Sequence, residues 1–296
     1  MKLRITHILI LFLLPVFSFA QTRDLKDKLQ KLIENKKAKI GISIVANNYK
    51  DTININGSQH FPMQSVYKFP IALAILSKAN QNKFGLNQQI AISKNDLLPD
   101  TWSPIREHFP SGTSMTISDL IKYTVSQSDN NGCDILLRLI GGTNEVQKFL
   151  SENKLEGISI KATEDEAHQD WNLQYQNWAT PIALTNLLIS AYDLNNDKLL
   201  SKKNYKFLWE TMVETSTGMK RLRGQLPVKT FVAHKTGTSG VRNNLTPATN
   251  DIGVIQLPDG SPIFISVLVS NSTENEEVNE KIISDVAKLT WDFYMK

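Results

Sequence analysis

One cysteine in 296 residues, Cys133, rules out an intramolecular disulfide. The five histidines, His7, His60, His108, His168 and His234, show neither H-E-x-x-H nor H-x-H spacing, so neither a metal nor a cofactor is expected. Charge of one sign is scarce as well. The formal charge is +4, and setting aside Lys2 and Arg4 of the first segment leaves about +2, which excludes reading the chain as a nucleic-acid or anionic-membrane binder. After residue 20 no apolar run reaches the roughly 18 residues that a spanning helix needs. Internal repeats and low-complexity linkers are absent too. What is there is ordinary for a globular protein: 41% apolar and 21% charged residues, and length for one large domain or two lobes sharing a core.

The first twenty residues differ from the rest. Lys2 and Arg4 precede an apolar run from Ile8 to Phe19 that Pro15 interrupts, and Ser18-Phe19-Ala20 offers small residues on either side of Phe19. That is the layout of a secretory signal peptide over 1–20, cleaved after Ala20, rather than of a membrane anchor. The mature protein is therefore expected to be secreted, periplasmic, soluble and monomeric. Cys133 lies in the apolar stretch Cys133-Asp134-Ile135-Leu136-Leu137 and reads as a buried, inert thiol.

Leu25, Leu29, Leu32 and Ile33 recur at helical spacing. Ile40, Ile42, Ile44 and Ala46, then Ile53 and Ile55, alternate as two strands of a hairpin. The middle of the chain is helical in pattern, with a capped start at Thr116-Ile117-Ser118-Asp119 and a stop at Gly141-Gly142. Further helices are expected over Pro181 to Tyr192 and Ser201 to Glu214. Strands return at Val232 to Thr236, Ile252 to Leu257 and Ile263 to Val269, with an Asp259-Gly260 turn before a helix from about Glu276 to Tyr294. The fold class is thus α/β (α+β): an antiparallel five-stranded sheet flanked by terminal helices, with an all-helical lobe inserted. The lobes are 21–59 plus 213–296 and 60–212, and the seam between them is where a site belongs.

Three short motifs carry chemistry. In Ser65-Val66-Tyr67-Lys68, a serine and a lysine three residues apart share one helical face, so the amine can reach the hydroxyl. The start of a helix over Val66 to Ala79 also sets Ser65 among unpaired N–H groups. The pattern alone is weak, since Ser151-Glu152-Asn153-Lys154 matches it as well. Ser128-Asp129-Asn130 follows a helix ending near Gln127; its serine can relay a proton and its asparagine can donate to an amide oxygen. Lys235-Thr236-Gly237 ends a strand, with Thr238 and Ser239 adding hydroxyls for an anionic group and Gly237 allowing close approach to the backbone.

All three in this order resemble the motif set of class A β-lactamases and penicillin-binding proteins. The resemblance covers the whole mature chain, and Gln174-Tyr175-Gln176-Asn177-Trp178 resembles the PER and VEB group of class A extended-spectrum enzymes. It implies a β-lactamase/transpeptidase-like fold and a serine acyl-enzyme. A hydrolase further needs a base for water. Glu164 is the candidate, followed four residues later by His168 where the family usually has an asparagine that holds the water; Glu166 is its rival. A DD-peptidase or a non-catalytic penicillin sensor would lack that base.

The resemblance assigns roles residue by residue. Ser65 is the nucleophile, Lys68 or Glu164 takes its proton, Ser128 protonates the β-lactam nitrogen, and Glu164 activates the deacylating water. Lys235, Thr236, Thr238 and Ser239 dock the substrate carboxylate. Asn130 and the Thr238 carbonyl meet its amide side chain, and the Ser65 and Thr238 N–H groups form the oxyanion hole. Arg221 either supports the carboxylate or belongs to a surface basic patch with Lys220 and Arg223; Trp102 either lines the entrance or lies in the core. Ala162 and Asn177 stand where a family salt bridge commonly closes the loop neck, and Asp165 replaces a common proline, so an altered loop and acceptance of bulky cephalosporins are expected. Gln64 and Ser239 stand at the positions that class A carbapenemases join by a disulfide, which this chain cannot form.

Overall fold

The computed structural model describes residues 14–196 and 199–295. In chain order the first elements are α1 (Leu14–Ile33), β1 (Lys39–Ala46), β2 (Asp51–Ile55), β3 (Phe61–Pro62) and α2 (Lys68–Asn80). Then come β4 (Gln89–Ser93), α3 (Pro104–His108), β5 (Gly112–Thr116), α4 (Ile117–Ser126), α5 (Asn130–Ile140) and α6 (Thr143–Glu152). The loop region holds β6 (Ile158–Ser159), α7 (Glu164–Gln169) and β7 (Trp178–Ala179), followed by α8 (Pro181–Tyr192) and α9 (Lys202–Val213). The chain closes with β8 (Phe231–Thr238), β9 (Thr246–Gln256), β10 (Pro262–Ser272) and α10 (Glu276–Tyr294). Most of the leader expected over 1–20 lies outside the described residues; the backbone from Leu14 onward is helical.

The main sheet is antiparallel in the order β2-β1-β10-β9-β8. It joins strands from both ends of the chain because β1 pairs with β10 (Ile42 opposite Val267, Ile44 opposite Ile265). Both faces are covered, and the two-residue period decides which side chain goes where. Along β10, Ile263, Ile265, Val267 and Val269 enter one core with Leu25 and Leu29 of α1 and Val286 and Trp291 of α10. Phe264 and Leu268, one step out of phase, enter the other core with α2, α5 and α8.

Local chemistry sets the helix ends. Thr116 accepts the Asp119 N–H to start α4, and Gly141, at φ 100°, stops α5 in the left-handed region that favours glycine. Pro181 opens α8 behind the capping Thr180. Helices dominate 60–212, yet this segment also holds a β3-β7-β6 sheet and a β4-β5 hairpin. Hydrophobic period alone does not reveal strands of two residues.

Candidate active site

The first two motifs and the loop glutamate meet at one amine. A 3-10 turn over Gln64–Tyr67 delivers Ser65 to the head of α2, and Lys68 Nζ donates to Ser65 Oγ at 3.0 Å and to the Ser128 carbonyl at 2.8 Å. It also donates to Asn130 Oδ1 and lies 2.9 Å from Glu164 Oε1. Lys68 is fully buried, so a charge there depends on these oxygens for solvation.

Ser128 takes φ 61°, strained for a residue with a Cβ. Two lysines hold it, Lys68 at its carbonyl and Lys235 at its hydroxyl, where Nζ donates to Oγ at 3.0 Å. Between Ser128 and Asn130, buried Asp129 accepts N–H groups from Ile105 and Gly132 and the Ser103 hydroxyl, capping α5 and fixing the motif. Asn130 Nδ2 donates to Thr101 Oγ1 at 2.6 Å.

Lys235 is buried and also donates to the Thr236 carbonyl. Burial first, and the nearby Lys68 charge second, push its ammonium well below the usual lysine range, partly opposed by Asp251 and Glu164. Gly237 is needed for closeness. A Cβ there would stand 2.3 Å from the Met63 carbonyl oxygen, so only glycine lets β8 lie against the turn that bears Ser65.

The two glutamates of the loop are placed differently. Thr163 caps α7 by accepting the Glu166 N–H, and Glu166 Oε2 accepts the Thr163 N–H in return, so Glu166 is spent in a capping box while Glu164 faces Lys68. Asp134 Oδ1 and Oδ2 accept the N–H groups of Glu164 and Asp165 at 2.9 Å each. Burial, with Glu164 adding to it, raises the Asp134 carboxyl to about 6. Among the described residues the neck of the loop has no ion pair. Asn177, buried, accepts from the Lys161 and Ala162 N–H groups and donates to the Ala162 carbonyl. His168 lines a small cavity of about 10 Å³ with Glu164, Asn130, Asp134 and Thr101, near the least volume that holds one water.

The open cleft has a volume of about 280 Å³ and is lined by Gln64, Ser65, Trp102, Ser128, Asn130, Glu164, Thr217, Thr236 and Thr238. Trp102 is 55% exposed and donates to the Gln127 carbonyl, so it stands at the entrance and not in the core. Arg221 is buried and does not belong to a surface patch. Its guanidinium donates to Thr238 Oγ1, to the Gly237 and Asn250 carbonyls and to Glu280, so it lies behind Thr238 and not in the cleft lining. Ser239 is not in the lining: its hydroxyl is engaged with the backbone of Ala248. Ser151 and Lys154, the second match to S-x-x-K, are exposed at the end of α6 and just beyond it. Cys133 is buried at 3.7 Å from the Tyr67 hydroxyl, and burial pushes its thiol well up, as suits an inert group.

Sequence reasoning missed Thr101, Thr217, Asp134 and the brace of Asn177. Thr217 Oγ1 lies 2.5 Å from Thr236 Oγ1. Asn177 alone left a signal, as an amide where the family commonly places one half of a salt bridge. The others touch the site only through contacts between distant segments.

Known proteins share this fold and much of this sequence. A family model described as the Beta-lactamase enzyme family matches residues 24–294. Beta-lactamase VEB-1 of Pseudomonas aeruginosa is 57% identical over 288 residues, 97% of this chain and 96% of the relative. Extended-spectrum beta-lactamase PER-1 of the same organism is 37% identical, covering 94% and 89%. Among solved structures, the TLA-3 extended-spectrum beta-lactamase superposes with a TM-score of 0.90 at 48% identity, covering 93% of this chain and 100% of that one.

Proposed function

The chain belongs to the class A β-lactamases and hydrolyses β-lactams, and from that premise we propose how its residues divide the work. The observation that carries the assignment is Lys68 Nζ between the Ser65 hydroxyl at 3.0 Å and the Glu164 carboxylate at 2.9 Å.

Ser65 attacks the β-lactam carbonyl, and its proton leaves toward Lys68 directly or toward Glu164 through a water. The Ser65 and Thr238 N–H groups receive the oxyanion, each worth roughly 10² to 10³ in rate. Ser128 Oγ, which accepts from Lys235, passes a proton to the ring nitrogen as the C–N bond breaks. The ester that remains is cleaved by a water that Glu164 deprotonates, with His168 beside the same small cavity. The substrate carboxylate docks on Lys235, Thr236 and Thr238, with Arg221 bracing Thr238. Asn130 and the Thr238 carbonyl hold the side-chain amide. The engagement of Ser239 with Ala248 leaves it a supporting place at most.

Three further readings belong to the same proposal. The chain is exported with cleavage near Ala20 and works in the periplasm as a monomer; no described helix is long and apolar enough to cross a membrane. It divides into lobes 21–59 plus 213–296 and 60–212, with the cleft on the seam. Its spectrum extends to cephalosporins with bulky side chains, because neutral hydrogen bonds from Asn177 replace an ion pair at the loop neck.

Intact-protein mass spectrometry tests the roles. With benzylpenicillin the wild type should show no lasting adduct, Glu164→Ala should accumulate one, and Ser65→Ala should take none. Steady turnover by Glu164→Ala would remove the assigned base. A lasting adduct on the unaltered protein would point instead to a peptidase or a sensor.

A further inference from the structure

Asn250 is fully buried in β9, and the sheet register sets it opposite Gly237 of β8. Directly opposed residues of an antiparallel pair project to the same face. On that face a Cβ at Gly237 would strike the Met63 carbonyl, so Asn250 points at the turn that bears Ser65. There its Nδ2 donates to the Pro62 carbonyl at 2.8 Å and to the Met63 carbonyl at 3.1 Å. Carbonyls only accept, so the NH₂ group must face them, and Oδ1 is left buried with no partner among the described residues. Leaving a buried acceptor unpaired costs stability, so packing alone does not account for an amide here.

The turn that Asn250 holds is strained. Gln64, between Met63 and Ser65, takes φ 49°, a left-handed conformation unfavourable for a residue with a Cβ. Such backbone persists only where its surroundings over-determine it. Met63 is where they do so. Its N–H donates to the Asn177 carbonyl at the loop neck at 2.9 Å, and its carbonyl accepts the Val66 N–H at 3.3 Å as well as Asn250 Nδ2. The main chain of Asn250 supports the other side of the cleft. It lies in the strand paired with the one that ends at Thr238, and its carbonyl accepts Arg221 Nη1 at 3.1 Å, while Arg221 Nη2 reaches Thr238 Oγ1. One residue thus joins the supports of both N–H groups assigned to the oxyanion.

We propose that Asn250 is a positioning residue for acylation: its amide sets the separation of the Ser65 and Thr238 N–H groups, and with it the fit of the oxyanion hole. The proposal rests on the assignment of those two groups as the hole. Without the amide, the Pro62 and Met63 carbonyls lose their shared donor. Gln64 then relaxes toward ordinary backbone, and the Ser65 N–H moves relative to β8. Removing one donor from such a hole costs roughly 10² to 10³ in rate. A donor that is shifted and not removed should cost about ten- to a hundredfold.

Asn250→Ala and Asn250→Leu test this in the Glu164→Ala background, where the benzylpenicillin ester should persist. Stopped-flow acylation should slow about ten- to a hundredfold in its rate constant, with substrate binding changed much less. Isotope-edited infrared difference spectra should show the ester carbonyl band moved to higher frequency, because weaker hydrogen bonds leave the C=O more double-bonded. A role in folding alone would lower the melting midpoint and the active fraction without moving the band of the molecules that react. Asn250→Leu keeps the side-chain bulk and carries both readouts if Asn250→Ala does not fold. Either readout left unmoved would overturn the proposal. A Glu164→Ala reference whose ester already absorbs where a free ester does in water would remove the oxyanion hole itself, and the role of Asn250 with it.

Discussion

Asp134 is 7% exposed beneath the loop, with one oxygen on each of the Glu164 and Asp165 N–H groups. Its carboxyl titrates near 6 in the fold against 3.8 for the ordinary group, because burial and the neighbouring Glu164 disfavour its charge more than the two hydrogen bonds favour it. The folded state therefore binds this proton more tightly than the unfolded chain does. Stability falls as pH rises through the window from 3.8 to about 6, and above it the full cost is present, about 3 kcal/mol. Asp134→Asn removes the charge, keeps one acceptor and turns an NH₂ toward the second N–H, forfeiting about 1 kcal/mol. The net expectation at pH 7.5 is a gain of about 1–2 kcal/mol, a melting midpoint higher by roughly 2–6 °C. At pH 4 the gain should vanish, since the wild-type carboxyl is then protonated. Turnover should nevertheless slow severalfold at the deacylation step, because α7 has lost one of its two anchors. Melts of both proteins at pH 4, 6 and 7.5 decide it. A variant no more stable at pH 7.5, or one whose gain is the same at pH 4, would refute the reasoning.

Three further outcomes follow from the packing and the chemistry. Gly237→Ala drives a Cβ against the Met63 carbonyl and displaces β8 from the Ser65 turn; a misplacement near 1 Å should cost about 10² in kcat/KM, and near-normal kinetics would contradict the close approach. Phe264→Ala empties a fully buried ring site between Tyr49 and Tyr192 and should cost about 3–5 kcal/mol in urea denaturation; a cost below about 1 kcal/mol would mean that the core collapses into the space. The proposed route uses serine, lysine and glutamate alone, so excess EDTA should leave nitrocefin-type turnover unchanged, and inhibition reversed by added zinc would count against it.

Much of the fold lay open in local pattern. The alternation in β1, the Thr116 cap, the Gly141 stop and the Pro181 start each act over a few residues, so their physics is written in adjacent letters. The same holds for Ser65 and Lys68, which one helical turn brings to 3.0 Å. Strands of two residues, such as β3 and β7, carry no period and were invisible.

The sequence by itself determined which chemical groups are present, their order, and the local geometry that pairs Ser65 with Lys68 and ends a strand at Lys235-Thr236-Gly237. Only the tertiary structure set Glu164 against Lys68, buried Arg221 behind Thr238, turned Ser239 toward Ala248 and brought Trp102 to the entrance. The reason is that these choices depend on groups that lie from 9 residues (Ser239 and Ala248) to nearly 100 residues (Lys68 and Glu164) apart in sequence and meet at one hydrogen-bond partner or one cavity. No local propensity encodes that meeting; it is settled when the sheet closes through the β1–β10 pairing and sets the loop over α2 and α5.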